Sequence, residues 1–357
     1  MAVNSEEMTP RERVSQCIRG RKPDKLPIVV INSNTFMCLY YRINVEDYLT
    51  KPELCAEVNI KFIKEFDVDC DIVATGYILY GAGPELGVKW EFVGSNFPGF
   101  VDVPIKSEND FDKIKVPLEP SGYFKNYLQT IKLINEAIGD THHLKASFLG
   151  PFSLVCFLRG IEDTLIDMIM NPNFFKKCMK LCTGISVFLA KNLLSTGLRY
   201  PILNEIFLSP GMMNPDTYNT LVAPYDMEVQ RRIGAGVASN SFAFMGLPND
   251  KESQKIDLCL FEAFFGVGES IEAIKGGVSY RVQGFPFPAA ISGRSLNSWD
   301  SKRILSFLND ALDYLINDQG IYPSITFASV QSDTIENACD IANKIKTVNA
   351  FRDQYKL

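Results

Sequence analysis

The sequence predicts an α/β fold, a single (β/α)8 TIM barrel spanning residues 1–357, and three observations carry that expectation. Eight short apolar segments alternate with helix-patterned segments along the 357 residues. The apolar segments mostly lack period-2 polarity, as strands do when helices cover a parallel sheet. No GxGxxG stands at a strand-to-helix turn, which disfavours the main rival, a doubly wound open sheet.

Each element follows in order. Thr9-Pro10-Arg11-Glu12-Arg13 opens an N-terminal helical extension: Thr9 caps, Pro10 suits the first helical position and Glu12 closes a capping box. Pro23 and Pro27 bracket a turn into a first strand at 28–31, whose β-branched run suits burial on both faces. Further strands are predicted at 70–75, 144–149, 201–206, 236–244, 258–264, 279–282 and 324–329. Helices are predicted at 52–66, 124–138, 160–196, 214–234, 250–256, 269–276 and 298–319. The stretch 85–120, with Gly87, Gly94, Pro98, Gly99 and Pro104 ahead of Glu108, Asp110 and Asp112, breaks this rhythm. It predicts a small hairpin excursion over one barrel end.

Composition excludes several classes of function. An apolar fraction of 46% supplies a large single core, and the net charge is −6. No basic stripe exists to displace counterions from nucleic acid, and nothing favours an anionic membrane. The nine cysteines are scattered, odd in number and without a CxxC pair, which predicts buried free thiols in a reducing compartment. The start is polar, and no apolar run reaches the about 18 residues a membrane span needs. A cytoplasmic location is expected.

In such a barrel the chemistry sits at the C-terminal ends of the strands. Asn204-Glu205 closes the fourth strand, which makes Glu205 the catalytic candidate, as a general acid or a hard metal ligand. The alternative is a glutamate that ties a loop to a backbone amide or an Arg. At an exposed strand end, Glu205→Gln is expected to cost turnover and little stability. Asn32 and Asn34 follow the first strand and Tyr77 the second, while Asn204, Asn240 and Ser241 end the fourth and fifth. Gln283 and Gln331 end the seventh and eighth. These eight are the substrate-binding candidates. Gly150-Pro151 reads as a sharp turn beside the site, and Phe and Pro residues at 284–288 as an apolar mouth. His142 and His143, the only histidines, precede a strand and fall at the stability end.

Several phrases, taken together and in order, resemble one family. They are Thr9-Pro10-Arg11-Glu12-Arg13-Val14 with Gly20-Arg21-Lys22-Pro23-Asp24, and Glu85-Leu86-Gly87 ahead of Trp90. Gly150-Pro151-Phe152-Ser153 with Arg159-Gly160-Ile161-Glu162 follows, then Leu208-Ser209-Pro210 with Tyr218, Pro224 and Tyr225, and Thr334-Ile335-Glu336-Asn337. The set is similar to the uroporphyrinogen decarboxylase superfamily over nearly the whole chain. That superfamily has a decarboxylase branch, with an Arg-rich loop after the first strand and an Asp ending the second, and a corrinoid-dependent methyltransferase branch. Here residues 32–38 hold no Arg and residues 76–79 no acid. A polycarboxylated tetrapyrrole needs such cations, so the resemblance points to the methyltransferases.

The resemblance implies a corrinoid-dependent methyltransferase. It would take a methyl group from a small methylated substrate, of the methyl ether or methylamine type, to the cobalt of a corrinoid (a cobalamin-type cofactor) on a separate corrinoid-binding protein. The chain itself would be a monomer or homodimer. That branch commonly holds zinc through a His-x-Cys and a Cys near the last strand, but residues 236–246 and 327–333 contain neither His nor Cys. The family's zinc is therefore not expected at its usual position. Two alternatives stand beside this reading: a decarboxylase or lyase acting on a smaller acid, and a non-catalytic ligand-binding barrel.

Overall fold

The computed structural model describes residues 7–31, 33–74, 83–92, 99–208, 213–233, 238–240, 288–328, 330–355 and 357. The predicted strands 258–264 and 279–282 and helices 250–256 and 269–276 lie outside the described residues. So do Asn32, Tyr77, Ser241 and Gln283.

Among the described residues, seven strands form one parallel sheet, and two more form an antiparallel hairpin, β3 (Lys89–Glu91) and β4 (Gly99–Asp102). The sheet strands are β1 (Ile28–Ile31), β2 (Cys70–Ile72), β5 (His143–Leu149), β6 (Tyr200–Asn204), β7 (Ala238–Asn240), β8 (Pro288–Ser292) and β9 (Ser324–Ala328). Their spatial order is β7-β6-β5-β2-β1-β9-β8. From β1 the order runs up the chain on one side and, through β9, down it on the other. Pairing of the first strand with the last, Ile28 opposite Ile325 and Ile31 opposite Ala328, is what closure of an α/β barrel requires. The hairpin is the predicted excursion.

Helices follow the strands: α1 (Pro10–Ile18), α2 (Asn34–Tyr40), α3 (Val45–Thr50), α4 (Pro52–Glu65), α5 (Gly122–Ile138), α6 (Pro151–Arg159), α7 (Ile161–Met170), α8 (Pro172–Ser195), α9 (Pro215–Leu221) and α10 (Ala223–Ile233). Three more cover Gly293–Ser298, Ser301–Leu312 and Ile335–Gln354. The single helix expected over 160–196 is two, because Pro172 cannot donate to the preceding turn and restarts the chain as α8. The helix expected over 214–234 likewise divides, at Val222. Strand β8 went unread among the Phe and Pro residues of 284–288; a proline heads it, at a position where a sheet tolerates one. No described helix is long and apolar enough to cross a membrane.

The N-terminal phrases close the bottom of the barrel. Thr9 and Glu12 form the expected capping box on α1. Arg13 on that helix grips Asp24 through Nε at 2.7 Å and Nη2 at 3.0 Å, and also pairs with Asp69, at the entrance to β2. Asp69 is fully buried and its second oxygen accepts the Ile28 N–H at 2.7 Å, where β1 begins. Arg352, from the last helix, faces the same carboxyl at 3.7 Å. One buried aspartate thus joins the first helix, the first two strands and the last helix.

β5 shows how the core divides. All seven residues are buried. Leu144, Ala146 and Phe148 join the apolar core that contains the helices. By alternation, His143, Lys145 and Ser147 take the opposite face. The same parity in β1, β6 and β9 leaves Val29, Ile202 and Thr326 off the helix-side cluster. Among the described residues the inner face is thus mixed, with His143, Lys145, Ser147 and Thr326 beside Val29 and Ile202, in a fold that commonly fills it with Val, Ile and Leu. Eight cysteines are described, all free thiols, and only Cys339 is exposed.

Candidate functional site at the C-terminal end of the barrel

Residues 33–34, 73–74, 149–150, 204–205 and 330–332 come to one end of the sheet, because parallel strands all finish there. His143 begins β5 at the other end, where burial pushes its pKa down to about 2. It is a neutral structural side chain, as its position in the sequence suggested.

Glu205 lies immediately beyond β6, and its setting differs from the exposed strand end the sequence predicted. It is 1% exposed. Oε1 accepts the Phe152 N–H at 2.9 Å and Oε2 the Ser153 N–H at 2.7 Å. Both amides belong to the first turn of α6, whose N-terminal N–H groups lack intrahelical partners and whose dipole favours a negative charge. Gly150 makes the approach possible: a Cβ there would stand 2.2 Å from Glu205 Oε1 and 2.4 Å from its Cδ. The Gly150 N–H in turn donates to the Asn204 carbonyl at 2.9 Å. Gly150-Pro151-Phe152-Ser153 and Asn204-Glu205 are therefore one unit, a strand-to-helix turn wrapped around a carboxylate.

The other side of that carboxylate meets Asp226 on α10, also 1% exposed. Tyr218 on α9 donates its hydroxyl to Asp226 Oδ2 at 3.2 Å. Burial raises the pKa of Glu205, with hydrogen bonds from Ser153 and Asp226 acting the other way. Burial, followed by the Glu205 charge, raises that of Asp226 well above the ordinary carboxyl range. Sequence reading singled out Tyr218 within a motif but missed Asp226. Nothing around it in the mid-helix run Tyr225-Asp226-Met227 marks a buried acid; only the packing of α10 against α8 does.

The remaining candidates fall in different settings. Asn204 is buried, and its Oδ1 has no hydrogen-bond partner among the described residues. Asn240 is its register partner on β7, so these two of the predicted set are brought together. Asn34 accepts the Tyr48 hydroxyl at 2.9 Å; that hydroxyl takes the Asn59 amide at 3.0 Å, and Asn59 Oδ1 holds the Ala74 N–H at 3.1 Å. Asn34 therefore belongs to a buried network that ties the loop after β1 to the end of β2. Gln331 is exposed in the loop after β9. Next to it, the Ser332 N–H reaches Thr35 Oγ1 at 3.4 Å, joining the loops of the first and last strands. Lys145 and Ser147, both buried in β5, escaped the sequence reading because a lysine inside an apolar run looks like a solvent-facing residue.

Zinc of the kind found in the methyltransferase branch does not fit the described residues. No three of their His, Cys, Asp and Glu side chains come together as a ligand set.

Comparison with known proteins agrees with this architecture. The family model for uroporphyrinogen decarboxylase (URO-D) matches residues 9–245, well over half of the chain. A uroporphyrinogen decarboxylase of Aliarcobacter butzleri is 25% identical over 50% of this chain and 52% of its own length. The methylcobamide:CoM methyltransferase MtbA of Methanosarcina mazei is 21% identical over 62% of this chain and 66% of its own length. The chain thus spans between about half and two-thirds of these curated relatives. A solved methyltransferase structure from Methanosarcina mazei superposes with a TM-score of 0.74 at 15% identity, covering 96% of this chain and 100% of that one; this is a likeness of fold. With the barrel, the phrases at 9–24, 85–87, 150–162 and 208–225, and the family match all in agreement, the chain belongs to the uroporphyrinogen decarboxylase (URO-D) family.

Proposed function

We propose that the protein is a corrinoid-dependent methyltransferase, acting as one domain over residues 1–357 in the cytoplasm. The observation that carries this reading is the lack of cations along the first two strand-end segments. Residues 32–41 and 73–88 contain no Lys or Arg, and α2 follows β1 at once with Phe36, Met37 and Cys38 buried. A substrate with several carboxylates would find no charge-assisted partners there. A small, weakly charged methylated donor needs none. Relatives named as methylcobamide:CoM methyltransferases support the same branch.

In this reading the partner's Co(I) is the nucleophile that accepts the methyl group. The barrel's own task is to hold the donor in line and to stabilise the departing atom. Asn204, with its buried acceptor, and Asn240 beside it orient the donor. Asn32, Tyr77, Ser241, Gln283 and Gln331 are further candidates for that role. The sequence offered Glu205 as a general acid; with both oxygens engaged by α6 amides, we assign it a positioning role instead, fixing the turn on which Asn204 sits.

The reading requires a partner. A small corrinoid-binding protein is expected to crosslink to this chain at the strand-end mouth, with crosslinks concentrated around residues 205–208 and 330–335. Crosslinks confined to the opposite end, around α1 and Asp24, would contradict it.

A further inference from the structure

The contact between Glu205 and Asp226 has a property that goes beyond any assignment of the reaction and does not depend on it. Two carboxyl groups, each 1% exposed, meet between β6 and α10. Glu205 spends its oxygens on two backbone N–H donors. Asp226 Oδ2 accepts the Tyr218 hydroxyl, while Oδ1 has no donor among the described residues. Among the described residues the other titratable groups around the pair are Cys156 on α6 and Cys182 on α8, both thiols kept neutral by burial. Among the described residues no Lys or Arg forms an ion pair with either acid. An acceptor facing an acceptor in a dry interior is repulsive unless a proton lies between them.

We propose that Asp226 is a neutral carboxylic acid that donates its proton to the Glu205 carboxylate, and so acts as a positioning residue for the strand-end turn at Gly150 and Asn204. The charge resides on Glu205 because two helix N-terminal amides point at it. The proton resides on Asp226 because its one other polar contact among the described residues, the Tyr218 hydroxyl, is a weaker and neutral donor. The pair carries one negative charge in total and links α6, β6, α9 and α10.

The sign of the pH dependence follows. Asp226 has an unfolded value near 3.8 and a folded value raised well above it. Its contribution to stability is complete below the unfolded value and is lost as pH rises towards the folded one, because the unfolded chain releases the proton first. Asp226→Asn keeps a donor for Glu205 and an acceptor for Tyr218 while removing the titration. Thermal midpoints of the two proteins are to be compared between about pH 5 and about pH 8. The difference, Asn variant minus parent, is expected to grow steadily with pH and to favour the variant at the upper end. The parent's infrared spectrum at neutral pH should show the carbonyl stretch of a buried protonated carboxyl, absent from Asp226→Asn. Glu205→Gln, which keeps an oxygen for one of the two backbone N–H groups and turns its NH2 towards the other, should lower the midpoint at every pH. A midpoint difference that stays constant with pH, together with no protonated carboxyl band in the parent, would overturn the proposal. The infrared comparison with Glu205→Gln decides the matter if Asp226→Asn fails to fold: the band must vanish or shift when its acceptor changes, and an unaltered band rejects the pairing.

Discussion

Arg13→Met is expected to destabilise the protein by about 3–5 kcal/mol, the usual consequence of removing one member of a buried ion pair. Arg13 is 2% exposed and holds two aspartates, one of them fully buried. Burial already pushes the Asp69 carboxyl up to about 6 against the pull of Arg13. Methionine fills the space of the aliphatic stem but leaves Asp69 with Arg352 at 3.7 Å and the Ile28 N–H. The deficit should shrink as pH falls through about 6, where the folded Asp69 carboxyl takes up a proton and no longer needs the cation. Urea unfolding at neutral and acidic pH measures both effects. A loss under about 1 kcal/mol, typical of an exposed pair, would mean that Arg13 does not seal the barrel floor.

Glu205→Ala is expected to cost about 2–6 kcal/mol, since two buried N–H donors lose their acceptor at about 1–3 kcal/mol each. Turnover per folded molecule is expected to fall by about a hundredfold, the scale of a displacement of about 1 Å at a reacting centre. Glu205→Gln should retain part of the stability. Thermal unfolding and turnover measured on the same preparations separate the two quantities. Unchanged stability with lost turnover would restore Glu205 to the role of an acid that meets substrate directly.

The scaffold was more legible in the sequence than the site, and the reason is physical. Motif residues mark places where one side chain meets one backbone group, so their spacing is local or nearly so. Thr9 and Glu12 cap α1, and Thr334 caps the last helix by accepting the Asn337 N–H at 3.1 Å. Arg159 holds Asp163 and Asp167 within two turns. Glu85 accepts the Tyr123 N–H at 2.7 Å, fixing the hairpin excursion on α5. Each could be read as a phrase, and together they carried the family resemblance.

Burial and long-range pairing were not legible in this way. Glu205 at a strand end looks the same whether it faces substrate or a helix N-terminus 53 residues back along the chain. Asp226 had no local signal, because its partner arrives from another strand. Lys145 was hidden for the opposite reason: its strand is apolar on one face and polar on the other, yet buried on both. Asn34, expected at the substrate, serves a network whose members Tyr48 and Asn59 lie 14 and 25 residues away. The sequence showed which residues stand at the mouth and could not show which way each one turned.

Methyl transfer to cobalt is open to a direct measurement. Cobalamin reduced to Co(I), free or on a small corrinoid-binding protein, is mixed with the intact chain and a panel of methyl ethers and methylamines, and its visible absorption is followed. With at least one donor the Co(I) spectrum is expected to give way to that of methylcobalt at a rate proportional to protein concentration. No conversion with any donor, while the same folded protein releases carbon dioxide from a small carboxylic acid, would contradict the methyltransferase reading and place the chain with the decarboxylases.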